Sequence, residues 1–198
     1  MGLVLEYSDG QTPLEEGERD GLLIPTISTL SELNEFEQQN IEQAVQWTFG
    51  RLISSGNILT DQFIRTMHKR MYLDVWAWAG QFRKTNKNIG IDRWQIAVQL
   101  KYLLEDVQYW TENNSYPPDE IAIRFKHRLV SIHCFPNGNG RHSRLMADII
   151  IDKIFHRPVF TWGALIVKKS DESRKVYLKA LKAADKGDYS QLIIFSRS

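Results

Sequence analysis

Cysteine is almost missing from this chain: Cys134 is the one thiol in 198 residues, which excludes an internal disulfide and any framework built on them. Long apolar runs are missing too. No stretch approaches the ~18 residues that a membrane-spanning helix needs, and the start, Met1-Gly2-Leu3-Val4-Leu5-Glu6, lacks the basic region and apolar run of a secretory leader. There is also no excess of either charge. Lys+Arg 25 against Asp+Glu 24 leaves a formal +1, so bulk electrostatics favours neither nucleic acid nor a membrane surface as partner, and any affinity for phosphate has to be local. Internal repeats and low-complexity tracts are absent. These features together suggest a cytoplasmic protein, and 42% hydrophobic content over 198 residues suits one domain with a sizeable core.

What the chain does have is concentrated in twelve residues, His133-Cys134-Phe135-Pro136-Asn137-Gly138-Asn139-Gly140-Arg141-His142-Ser143-Arg144. An apolar run ending in Ile132 precedes them and another beginning at Leu145 follows, so the polar stretch reads as a tight turn between two helices. Gly138 and Gly140 release the backbone for positive φ and close approach, and Asn139 tolerates the left-handed region. A helix starting near Asn139 or Gly140 would aim its free N–H groups and dipole at one spot, an anion site. Arg141 and Arg144, three apart, share the first turns of that helix and can both reach phosphate oxygens. His133, with an ordinary pKa near 6.5, is a candidate base beside that site. The Lys-Ser/Thr ending of a P-loop is lacking and no strand leads in, so that nucleotide site is excluded. His68, His127, His142 and His156 have no metal-ligand spacing, and Cys134 reads as packing.

The rest of the chain is predicted to be helical. Residues 1–30, with Gly10, Pro13, Gly17, Gly21 and Pro25, suit an irregular arm, and residues 31–198 form the helical domain. Ser31 is a candidate N-cap for a helix whose face is Ile41, Ala44, Val45 and Phe49, and Thr60 for one carrying Ile64, Met67, Met71 and Val75. Ile96, Leu100, Leu103, Leu104 and Val107 repeat the pattern over 93–112. Pro117-Pro118 restarts the chain into a helix with Ala122, Phe125, Leu129 and Ile132, closed by His133. Leu145, Met146, Ile149, Ile150 and Ile154 continue beyond the motif. A further helix is predicted from about Ser170 to Ala184, then a short apolar segment, Leu192-Ile193-Ile194-Phe195. The segment 81–96 breaks the rhythm, mixing Asn86, Asn88 and Gly90 with Phe82, Thr85, Ile89 and Ile91, and reads as a β-hairpin or extended flap.

These residues resemble the Fic (Fido) signature, His-x-Phe-x-Asp/Glu-Gly-Asn-Gly-Arg-x-x-Arg, at His133, Phe135, Gly138, Asn139, Gly140, Arg141 and Arg144. Looser similarity runs from about Ile58 to Phe155 and includes Trp76-Ala77-Trp78-Ala79-Gly80; the chain as a whole resembles the bacterial Fic proteins labelled mobile mystery protein B. The resemblance implies an all-α, Fic-type helical bundle with a small β-hairpin flap, its core at about 58–155. It implies a protein adenylyltransferase that moves AMP from ATP to a Ser, Thr or Tyr hydroxyl of a target protein docked on the 81–96 flap. His133 would be the catalytic base. Asn137, Gly138, Asn139 and Gly140 would hold phosphate, the Asn139 side chain included, and Arg141 and Arg144 would neutralise the leaving pyrophosphate.

The sequence departs from the signature at Asn137, where the family usually has the carboxylate that holds Mg²⁺. An amide oxygen is a weaker ligand, so three readings stay open: Asn137 ligates magnesium through Oδ1 at some loss of rate, the donor is another phosphate-containing molecule, or the protein is a silent nucleotide-binding partner of a toxin–antitoxin pair. Family members are commonly restrained by a helix of pattern Ser/Thr-x-x-x-Glu-Gly/Asn whose glutamate meets the second motif arginine. Thr12-Pro13-Leu14-Glu15-Glu16-Gly17 fits that pattern, and Ser31-Glu32-Leu33-Asn34-Glu35 fits apart from Phe36. Glu16 or Glu35 would then face Arg144; otherwise a separate antitoxin supplies the restraint.

Overall fold

The structure is a computed structural model describing residues 13–164 and 170–198; Thr12 and most of the first half of the predicted arm lie outside the described residues. Nine α-helices occur among them: α1 (Glu16–Arg19), α2 (Leu30–Phe49), α3 (Ser55–Ile58), α4 (Asp61–Tyr72), α5 (Ile96–Glu112), α6 (Pro118–Ile132), α7 (Asn139–Lys153), α8 (Ser170–Ala184) and α9 (Ser190–Ser196). The centre is the antiparallel pair α6 and α7. The first is covered by α5 and the second by α4, which also carries α2, while α8 and α9 pack together at the far end. No helix among the described residues is long and apolar enough to cross a membrane.

The sequence pattern accounts for most of these elements. Thr60 caps α4 by accepting the Phe63 N–H at 3.1 Å, and Ile64, Met67 and Met71 are buried as the spacing requires. Pro118 opens α6, where its missing N–H costs nothing, and Ala122, Phe125, Leu129 and Ile132 fill the core. The apolar segment at 192–195 lies in the short helix α9.

Two expectations are corrected. Ser31 is not a cap: Thr29 accepts the Glu32 N–H at 3.2 Å, the Glu32 carboxylate accepts the Thr29 N–H at 3.0 Å, and this reciprocal box starts α2 two residues earlier. The buried face of that helix is Leu33, Glu37, Asn40, Ala44 and Thr48, while Ile41, Val45 and Phe49 are half-buried. Three polar residues can face inward because each has a partner. Asn40 accepts the Asp74 N–H at 3.0 Å, the Thr48 hydroxyl donates to the Ala44 carbonyl at 2.7 Å, and Glu37 accepts the Trp76 indole N–H at 2.7 Å.

The predicted β-hairpin does not form. Among the described residues there is no strand, and an isolated bridge joins Leu22 to Trp76. The segment 81–92 is instead an extended loop leading into a short 3₁₀ turn, Arg93–Gln95. A side chain does the work of a ladder: the Arg83 guanidinium lies inside the loop and donates to the carbonyls of Thr85, at 2.7 Å, and of Ile91. Its two arms are thereby held around the guanidinium and do not pair with each other.

His68 on α4 connects this scaffold to the turn between α6 and α7. Its Nδ1 accepts the Gly80 N–H at 3.0 Å, so Nε2 carries the proton and donates to the Asn137 carbonyl at 3.0 Å. The ring stacks on Phe135 with centroids 3.7 Å apart. Complete burial holds its pKa well below the usual histidine value, and it stays neutral. His68→Leu should strand a buried N–H and a buried carbonyl, lowering stability by about 2–4 kcal/mol and the melting temperature by roughly 5–12 °C, as thermal unfolding followed by circular dichroism would measure.

Candidate functional site

Helix α6 ends at His133, which adopts a left-handed backbone, φ 57° and ψ 60°. That conformation is uncommon outside glycine and asparagine, and it turns the chain sharply into Cys134 and Phe135. Asn139 then closes the loop on itself, its Oδ1 accepting the Phe135 N–H at 3.0 Å and its amide donating to the Phe135 carbonyl at 2.8 Å. The side chain expected to touch phosphate therefore shapes the turn from within. Gly138, the N-cap of α7, has φ +76°, and a Cβ there would lie 2.5 Å from the Tyr72 ring, so this glycine is required twice over. Its N–H donates to Asn137 Oδ1 at 2.6 Å. The next N–H groups, at Asn139, Gly140 and Arg141, belong to a helical first turn and have no intrahelical acceptor. Gly140 opens onto empty space.

Here the wall of a cleft of about 940 Å³ is formed, and His133, Asn137, Gly138, Asn139, Gly140, Arg141 and Arg144 all line it. This is large enough for a nucleotide. The two arginines differ in their surroundings. Arg141 pairs with the buried Glu37 carboxylate and lies over the Tyr72 ring at 5.4 Å; burial alone would lower its pKa, but the surroundings, the Glu37 carboxylate among them, hold it above the usual guanidinium value. Arg144 faces the Tyr177 ring at 5.8 Å and has no ion pair among the described residues. Glu16 and Glu35, expected to meet Arg144, are exposed and pair with neither motif arginine. The acid that meets a motif arginine is Glu37, which pairs with Arg141.

The 81–92 loop lies directly on the base. Arg83 donates from Nε to the His133 carbonyl at 2.6 Å, and its backbone N–H donates to the Cys134 carbonyl at 2.9 Å. A Cβ on Gly90, where φ is +98°, would sit 2.6 Å from His133 Cβ. Buried in this way, His133 has its pKa pushed down to about 4, first by desolvation and then by the Arg83 charge, so it is a neutral imidazole at pH 7. Burial pushes the Cys134 thiol up to about 12, leaving it protonated and inert.

The far wall is made by residues of α6 and α8 together with Trp162. Asp185 accepts from His127 Nε2 at 2.8 Å, Lys126 donates to the Tyr177 hydroxyl, and Asp148 fixes the Trp162 indole N–H at 3.0 Å. No cluster of three or more His, Cys, Asp or Glu able to hold a metal occurs among the described residues. Sequence reasoning missed Glu37, Arg83 and this far wall. Glu37 was within reach, because Leu33, Glu37, Asn40, Ala44 and Thr48 keep helical spacing; no local signal marked Arg83, whose partners lie as far as fifty residues away.

Fold and site together define a helical domain with an open helix start beside a neutral histidine. Residues 58–151 match the Fic/DOC family. It is similar to the protein adenylyltransferase Fic of Drosophila grimshawi, 30% identical over 119 residues covering 59% of this chain and 23% of that protein. It is also similar to the protein adenylyltransferase Fic of Aedes aegypti, 24% identical over 160 residues, 78% of this chain and 30% of the relative. The aligned region thus spans less than a third of the length of either of these curated relatives. Among solved structures, Fic-1 (residues 134–508) of C. elegans superposes with a TM-score of 0.68 at 23% identity over 90% of this chain and 51% of that one. The BepC protein of Bartonella tribocorum, with bound AMPPNP, gives 0.66 at 16% identity over 92% and 97%. At these identities the structural likeness speaks for the fold.

His133 and His142, whose buried ring bonds the Ile64 carbonyl at 3.0 Å, both have pKa values lowered to about 4 from 6.5. Between those pH values the unfolded chain binds protons that the folded one refuses, so stability should fall as pH drops from 6.5 to about 4, by up to about 3 kcal/mol for each ring. Denaturant unfolding across that range measures the loss, and ¹H–¹³C spectra of the imidazoles give the two midpoints.

Proposed function

We propose that this protein is an adenylyltransferase that moves AMP from ATP to a Ser, Thr or Tyr hydroxyl of a target protein. The observation that carries this reading is the neutral His133 imidazole beside the first turn of α7, with Arg144 on the same cleft wall. The target hydroxyl passes its proton to His133 while its oxygen bonds to the α-phosphorus. The bond from that phosphorus to the oxygen bridging to the β-phosphate breaks, and pyrophosphate leaves with the electron pair. The N–H groups of Asn139, Gly140 and Arg141 face the phosphates, and Arg144 takes the charge that grows on the leaving group. Arg141 shares its charge with Glu37 and contributes less. Names of the curated relatives and the nucleotide analogue in BepC support ATP as donor.

The described donors around Asn137 fit magnesium only as an ion carried by the nucleotide. One neutral oxygen, Asn137 Oδ1, is at hand, and it already accepts the Gly138 N–H. Magnesium bound to the triphosphate would neutralise phosphate charge. That weak ligation favours a second reading, transfer of a different phosphate-containing group. The target is proposed to dock along 81–96, where Ile89 is 45% and Trp94 75% exposed. The exposure of Glu16 and Glu35 favours restraint by a separate antitoxin over restraint by either of them, in keeping with the resemblance to the mobile mystery protein B group, and a lone buried thiol suits the cytoplasm.

Incubating the protein with a lysate and α-labelled ATP, GTP, UTP or CTP tests the donor. Label should pass to protein from ATP, and His133→Ala should cut transfer by about 10²–10⁴-fold while ATP binding by calorimetry stays within a few-fold. Label from another nucleotide replaces the donor; none from any of them leaves a binding module. Asn137→Asp adds a charged oxygen for magnesium, so with ATP it should lower the magnesium concentration needed for half-maximal rate; a slower Asp variant at every magnesium concentration counts against ATP.

A further inference from the structure

The arm and the 81–92 loop meet at one ammonium group. The Lys87 side chain is 3% exposed and pairs with Glu18; its Nζ lies 3.6 Å from a Glu15 carboxylate oxygen and donates to the Pro13 carbonyl at 3.4 Å. The Thr85 hydroxyl donates to the other Glu18 oxygen at 3.5 Å. Glu18 is itself held in place: its carboxylate accepts the Glu15 N–H at 2.9 Å, and its carbonyl accepts the Trp78 indole N–H at 2.9 Å. The arm cannot slide freely there, because Ala77 donates to the Gly21 carbonyl at 2.8 Å and Leu23 to the Val75 carbonyl at 2.9 Å, and Gly21 packs against Trp78 so closely that a Cβ would lie 2.6 Å from the indole.

The loop therefore has two anchors. Arg83 fixes its inner end to the carbonyls of His133 and Cys134, while the Lys87–Glu18 pair fixes its outer part to the arm. Beyond Lys87 in the same loop, Gly90 rests against His133. We propose that Glu18 is a positioning residue for His133, acting through Lys87 and the 81–92 loop, so that the arm sets the orientation and dryness of the catalytic base; this rests on the transfer reaction proposed above. Without Glu18 the Lys87 ammonium keeps only the half-exposed Glu15 carboxylate at 3.6 Å and the Pro13 carbonyl at 3.4 Å; a buried cation so weakly held is disfavoured, so it moves out to water and draws the loop with it. Gly90 then withdraws and water reaches the imidazole. Removing both charges leaves no such force, because an apolar side chain is content where Lys87 lay.

The test compares the full chain with Glu18→Gln and with Glu18→Gln/Lys87→Met. Glu18→Gln should lower kcat about tenfold, as expected when a catalytic group loses its alignment, with KM for ATP unchanged, and should move the His133 midpoint in ¹H–¹³C spectra from about 4 upward toward 6.5. The double variant should return both toward the parent. A Glu18→Gln protein with parental kcat and His133 midpoint overturns the proposal, as does a fall in kcat with the midpoint unmoved, or a double variant that stays shifted. If the parent transfers no AMP, the proposed function fails, and the His133 midpoints still decide the positioning role.

Discussion

A buried guanidinium satisfying backbone carbonyls is the constraint on which this site rests. The turn after α6 puts His133 in a left-handed conformation, and that turn leaves the His133 carbonyl pointing away from any helix. Arg83 captures it, along with carbonyls from both arms of the neighbouring loop. Five N–H donors in a rigid plane can do this for several acceptors at once, which a lysine could not. The cost is a desolvated cation, and its pKa is lowered by burial. Its charge also faces His133 and helps keep that imidazole neutral, so the group that holds the base in place tunes it too.

The two motif arginines lie on one helix but in different electrostatic settings. Arg141 is already neutralised by Glu37 and braced by Tyr72, so a phosphate arriving there competes with a carboxylate. Arg144 has no ion pair among the described residues and faces the Tyr177 ring, so it is the less committed of the two.

The sequence disclosed what depends on neighbours along the chain. Apolar spacing located α4, α5, α6 and α7, the Pro117-Pro118 restart marked the start of α6, and Gly138-Asn139-Gly140 marked the turn. What it hid depends on contacts between distant segments. The α2 face was misread because Glu37 and Asn40 look like solvent-facing residues until Trp76, Arg141 and Asp74 are seen to satisfy them. The hairpin was misread because Asn and Gly between apolar residues announce a turn in any loop, whereas Arg83, filling the space where strands would pair, gives no periodic signal. Asn139 was given to phosphate by the resemblance, and the geometry adds that its Oδ1 and its amide nitrogen each bond the Phe135 backbone.

The loop over His133 is fixed from beneath, by Arg83 and by a glycine that touches the base, while Lys84, Asn88 and Ile89 face outward. The outward-facing side of the loop and its structural attachment are thus written in different residues, so the outer positions can vary without disturbing the imidazole below.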